Sequence, residues 1–252
     1  MTYLIKSHRV KEITKSMEFQ EAKDLISQAQ NIYLIPEESS SPEAVACALS
    51  LFYTLSEAGK NVNIITENFP EYLKFLTPSV DFISYPKNFI ISIPSSLANI
   101  SQIYYEKNDD NLKIHLTVDK GVVKKDDVSF YFAESRPDLV ITFGIKDYQK
   151  ALENKLNSFG FLLDADILNI DSGTENKNFG KINLVADKLT ISEVTLGLSG
   201  QVGQKAADCL MAGLIVRTDN FKNSVTPEIF ETAAALLKKG ANIGEVSNNI
   251  CK

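Results

Sequence analysis

The chain has 252 residues, 44% apolar and 23% charged, and a formal net charge of -6. This is a globular composition, long enough to bury an ample core in one large domain or two small ones. The acidic total excludes a surface that attracts nucleic acid as a whole, and no apolar run reaches the roughly 18 residues of a membrane span.

The first residues, "MTYLIKSHRVKEITK", hold too short an apolar stretch for a signal peptide, so a cytoplasmic protein is expected. Met17 to Gln30 has helical periodicity, and Asn31 to Ile35 reads as a short buried strand. Ser41 then offers a helix cap, Pro42 suits the first turn, Glu43 complements the helix dipole, and Gly59 supplies the stop. With the strand "NVNIIT" (Asn61 to Thr66) this makes a strand–helix–strand crossover.

Pro70 to Leu76 reads as a short helix and Asn88 to Pro94 as another strand. From Ile100 to Phe132 apolar and polar residues alternate, with turn signals at "KNDDN" and "DKG", which predicts antiparallel hairpins. Pro137 to Gly144 returns to a buried, parallel-type strand. A helix is expected over Tyr148 to Leu156, then a strand ending at Asp171, a polar loop, and a second apolar run to Val185.

Three helical segments follow, "TISEVTLGLSG", "GQKAADCLMAGLIVRT" and "TPEIFETAAALLKKG". Thr226 and Pro227 open the third and Gly240 closes it, and a last short helix ends the chain. The expected fold class is α/β: a mainly parallel sheet with flanking helices, a β-hairpin insertion and a helical C-terminal part. One domain is expected over residues 1–252, with the insertion at about residues 100–132.

Cys47, Cys209 and Cys251 are odd in number and lack metal-ligand spacing; the first two read as small core residues of a protein kept reduced. His8 and His115 are the only histidines, and neither stands at a parallel-strand end. That excludes a His-rich metal centre and argues against a Ser-His-acid triad. "LGLSGQVGQK" lacks phosphate-loop spacing, and Ser199 is not in a GxSxG elbow.

Three places fall where an open α/β sheet binds ligands, at the carboxyl ends of strands. "IPEESSSPE" ends in a helix N-terminus, where backbone N–H groups favour an anion, or simply in a capped helix start. Gly144 ends a strand in "ITFGIKD", as turn glycines do. Asp171 opens "DSGTENKNFG", as a ligand or as a loop cap.

Taken in order, "AVACALSL", "PDLVITFG", "NIDSGTENKNFGKINLV", "MAGLIVRTDNF" and "VTPEIFETAAALLKKGA" resemble the catalytic domain of the DHH phosphoesterase superfamily, over about residues 17–250. That superfamily includes RecJ-like exonucleases, nanoRNases, cyclic-dinucleotide phosphodiesterases and family II pyrophosphatases. The resemblance implies a site for two divalent metals, usually manganese, held by acids and histidines. Here Glu37 stands at the first histidine position and Ser41 and Glu43 at the two aspartates that follow. Gly144 replaces the next acid, Asp171 is retained, Ser172 and Gly173 replace both histidines, and Arg217 replaces the last acid.

Such a set cannot rebuild a metal pair, whose ions sit about 4 Å apart among several hard ligands. The resemblance therefore implies a catalytically inactive relative with no cofactor, acting as a binding or assembly module. In it Arg217 would pair with Asp171 or Glu43 in place of metal. Its implied partners are a second copy or a paralogue, and a nucleotide or phosphate ligand, with no membrane. The alternative is a residual phosphoesterase with one weakly bound Mn or Mg on Glu43 and Asp171. Active nucleases of the superfamily continue into a second, substrate-binding domain beyond the point where this sequence stops, and the hairpin-like stretch is extra to a minimal catalytic domain.

Overall fold

The computed structural model describes residues 17–38, 41–66, 69–77, 87–108, 110–134, 137–152, 165–173, 175–185 and 189–251. His8 and the end of the helix expected over Tyr148 to Leu156 lie outside them. Two compact units form: Tyr85–Ser135, and a larger one from Met1–Ser84 with Arg136–Lys252.

The larger unit is built on five strands: β1 (Asn31–Pro36), β2 (Asn61–Ile64), β7 (Leu139–Phe143), β8 (Asp166–Asp171) and β9 (Ile182–Val185). They lie in the order β2-β1-β7-β8-β9, and every pairing is parallel. β7 is buried at all five positions, as befits a central strand covered on both faces. The chain runs outward from β1 in both directions, so the order reverses between β1 and β7. Their carboxyl ends, Pro36 opposite Phe143, form the crevice where open α/β sheets take ligands. The architecture is the α/β one predicted, with a parallel sheet, flanking helices and a helical C-terminal part.

Seven α-helices are described: α1 (Met17–Gln28), α2 (Pro42–Glu57), α3 (Tyr148–Leu152), α4 (Ile191–Leu198), α5 (Gln204–Arg217), α6 (Pro227–Lys238) and α7 (Ile243–Ile250). A 3-10 turn covers Glu71–Leu76. α2 and α5 pack against each other, and α4 packs on both. Cys47 and Cys209 are buried there, as the apolar runs around them require, whereas Cys251 is exposed.

Thr226 caps α6 through its side chain, accepting from Ile229 N–H, with Pro227 in the first turn. Ser41 differs from expectation. It holds the N-cap position of α2, but its side chain makes no capping bond. The hydroxyl lies against Gly144 instead, where an added Cβ would meet Ser41 Oγ at 2.9 Å.

The smaller unit holds β3 (Lys87–Ser92), β4 (Ala98–Lys107), β5 (Leu112–Gly121) and β6 (Ser129–Glu134). β4 and β5 form the expected antiparallel hairpin. β3, read from sequence simply as the next strand in line, pairs antiparallel with β6. The separate unit thus starts earlier than residue 100. An apolar run announces a strand but not its partner.

Candidate functional site

Glu43 lies in the first turn of α2 and is 2% exposed. Its Oε1 accepts the backbone N–H of Ser192 at 2.7 Å, in the first turn of α4. Its Oε2 lies 3.5 Å from Nε of Arg217, the last residue of α5, and has no hydrogen bond. One carboxylate thus joins three helices. It lies at the positive end of α4, and Arg217 lies at the negative end of α5.

Gly213 on α5 permits the approach: an added Cβ would meet Ser192 Oγ at 2.8 Å and Glu43 Cγ at 3.4 Å. Burial pushes the Glu43 carboxyl above its ordinary pKa, against the N–H and hydroxyl of Ser192 and the charge of Arg217.

Glu193 is a second buried acid beside it, 3% exposed. It closes a capping box with Thr190: its Oε2 accepts Thr190 N–H at 2.7 Å, and Thr190 Oγ1 accepts Glu193 N–H at 3.1 Å. Burial raises its pKa too, and Arg217 opposes the shift. The "TISE" spacing is a capping-box signal; Ser192, 149 residues from Glu43, carries none.

Asp171 belongs to a different set of contacts. It ends β8, is 4% exposed, and accepts from Ser172 N–H at 2.7 Å and from Asn176 Nδ2 at 2.8 Å. Asn176 Nδ2 also donates to Ile145 O at 2.9 Å, and its Oδ1 accepts from Asn169 Nδ2 at 2.8 Å. Asn169, fully buried, is bonded to Thr142 Oγ1 on β7 and Asn183 Oδ1 on β9. A buried polar ladder therefore crosses three strands and ends on the Asp171 carboxylate. Gly173 lies beside both Asp171 and Lys146, whose ammonium pairs with Glu175 at 2.7 Å.

Of the other predicted residues, Glu37 is half-buried just past β1, and its backbone N–H donates to Phe143 O at 2.8 Å. Gly144 adopts a φ of +70°, the left-handed region, and donates its N–H to Ile170 O at 2.8 Å. Ser41 and Gly144 touch across the switch point between β1 and β7. Glu43 and Arg217 are together; among the described residues Asp171, with Ser172 and Gly173, has no hydrogen-bond or ion-pair partner in common with them.

A paired-metal centre fits these residues badly. Among the described residues no three His, Cys, Asp or Glu side chains form a metal-ligand group. Glu43 faces a backbone N–H and a guanidinium, both of which disfavour a dication, and both oxygens of Asp171 accept hydrogen bonds. Gly144 brings no donor side chain.

No family model and no curated protein match the chain. Among solved structures it is similar to an exopolyphosphatase-related protein from Bacteroides fragilis, at a TM-score of 0.62 and 16% identity. The match covers 99% of this chain and 62% of that one, so this chain spans less than two thirds of the neighbour's length. At that identity the likeness is one of fold. The sugar isomerase domain of an RpiR transcription factor from Sphaerobacter thermophilus matches at a TM-score of 0.36 and 14% identity, over 92% of this chain and 89% of that one. No helix among the described residues is long and apolar enough to cross a membrane.

Proposed function

We propose that the chain is a phosphoesterase-like protein of the DHH type that has given up catalysis and serves as a binding or assembly module. The observation that carries this reading is the Glu43 carboxylate, buried between Ser192 N–H and Arg217. An acid used to tie three helices together is not open to a metal. Asp171 is likewise committed, to Ser172 and Asn176. The fold likeness to an exopolyphosphatase-related protein supports the phosphoesterase-like part.

A phosphate or nucleotide is the ligand class this reading favours. The N-terminus of α2 opens at the switch-point crevice, and Arg217 keeps 41% of its side chain exposed beside it in the fold of the same helix pair. The module would assemble as a homodimer or with a paralogue, without a resident metal.

Purified protein assayed with manganese against pyrophosphate, short oligonucleotides and cyclic dinucleotides tests the reading. No turnover is expected. Turnover that Asp171→Ala abolishes would mean a residual metal-dependent enzyme instead.

A further inference from the structure

A cavity of about 230 Å³ lies between α2, the 3-10 turn, α5 and α7, and every residue lining it belongs to the larger unit. It is separate from the Glu43 junction. Tyr53 and Lys205, in its wall, stand on the order of 15 Å along α2 and α5 from Glu43 and Arg217. The volume falls below the roughly 300–1,000 Å³ of sites for drug-sized molecules, so it suits a smaller one.

The apolar part of the wall is the Tyr53 ring with Phe75, Leu76 and Val246. The Tyr53 hydroxyl donates to Leu76 O at 2.6 Å, which leaves the ring as the surface it offers.

One cation and two acids line the same space: Lys205, Asp208 and Glu245. Lys205 Nζ stands over the Tyr53 ring, 5.7 Å from its centroid, and has no hydrogen-bond or ion-pair partner among the described residues. Lys205 and Asp208 are three apart on α5 with the base first, the order that pairs less well on a helix, and they do not pair.

Asp208 Oδ1 accepts Asn242 N–H at 2.7 Å, and Glu245 Oε2 accepts from Asn242 Nδ2 at 3.2 Å. These bonds start α7 and use one oxygen of each acid. Burial raises the Asp208 pKa, the Asn242 N–H opposes the shift, and the charge of Glu245 adds to it. Among the described residues, then, two acids lie in each other's field without a cation between them, beside an ammonium without an anion.

We propose that this cavity binds a small α-amino acid with an apolar side chain. The amino acid's carboxylate meets Lys205 Nζ, its ammonium meets the remaining oxygens of Asp208 and Glu245, and its side chain rests on Phe75, Leu76 and Val246. Lys205 and Asp208 are about 4.5 Å apart along the helix axis, close enough to serve both ends of one such molecule. A simple anion or a simple amine would leave one of the two charges unanswered.

Calorimetric titration of the full chain with L-leucine, L-methionine and L-valine, up to about 10 mM, is the test. Saturable binding of at least one is expected. Isocaproate and isoamylamine, which are leucine without its ammonium and without its carboxylate, should bind at least tenfold more weakly. Asp208→Asn keeps the acceptor for Asn242 N–H, and Lys205→Met keeps an apolar stem on the Tyr53 ring. Each should weaken binding at least tenfold with little change in the melting transition, whereas Lys239→Met, on an exposed lysine after α6, should leave it intact.

Should Asp208→Asn disturb α7, Lys205→Met, at an exposed position, decides alone. No saturable heat with any of the three amino acids, equal binding of either single-charge analogue, or unchanged affinity in Lys205→Met would each overturn the proposal.

Discussion

Glu43 accepts the backbone N–H of Ser192 at 2.7 Å, so the first turn of α2 is fastened to the first turn of α4 by a buried carboxylate. Its other oxygen faces Arg217, at 3.5 Å. Glu43→Ala removes both attachments and leaves the Ser192 N–H unpaired in the core. It should lower stability by about 2–4 kcal/mol in chemical denaturation. Glu43→Gln keeps an acceptor for Ser192 and should cost less than half as much.

The same carboxyl sets a pH dependence. Burial raises the folded pKa of both Glu43 and Glu193 above the ordinary 4.5. The folded state then binds protons more tightly than the unfolded one. Their stabilising contribution is complete below 4.5 and is lost as pH rises through the raised folded values. The melting temperature should fall across that window, and Glu43→Gln should flatten the fall. Asp138 acts in a separate, lower window: N–H groups of Asn31 and Gln30 hold its pKa below the ordinary 3.8, so its contribution disappears only under stronger acid.

Asn176 holds Asp171 to the strand ladder. Replacing it by Asp sets a second carboxylate against Asp171 Oδ2, where an amide now donates at 2.8 Å. Asn176→Asp should be destabilising by about 2–3 kcal/mol at neutral pH, and a good part of that should return near pH 4, where one of the two acids takes a proton. Urea denaturation at the two pH values measures the difference.

Gly144 stands where the resemblance to the DHH superfamily would place a metal-binding acid, so Gly144→Asp is the obvious attempt to build a metal site. It should fail. The φ of +70° disfavours any side chain, and a Cβ would stand 2.9 Å from Ser41 Oγ and 3.0 Å from Ser41 Cβ. Both Gly144→Ala and Gly144→Asp should cost about 1–3 kcal/mol, and manganese should not rescue the second. Thermal melts with and without the metal decide it.

The local signals were legible in the sequence, because each needs only a few adjacent residues. Ser41-Pro42 and Thr226-Pro227 mark helix starts, and the apolar run of Leu139–Phe143 marks a buried parallel strand. The Thr190–Glu193 capping box was equally open to inspection.

The partners of Glu43 were not, since Ser192 and Arg217 are far along the chain and reach it only when α2, α4 and α5 pack. The resemblance offered Arg217 either Asp171 or Glu43. Packing selects Glu43, while Asn176 and the ladder from Asn169 draw Asp171 into the sheet end. Likewise the apolar run of β3 and the alternation leading into β6 foretold strands but not that they pair with each other.

The central claim of the proposed reading is that Glu43 and Asp171 are held by the chain itself and are not open to a metal. Titrating manganese into the protein and following the free ion by electron paramagnetic resonance tests it most directly. The account predicts that all added manganese stays free at micromolar concentrations, in the wild type and in Asp171→Ala alike. Two ions taken up per chain, and released by Asp171→Ala, would contradict it.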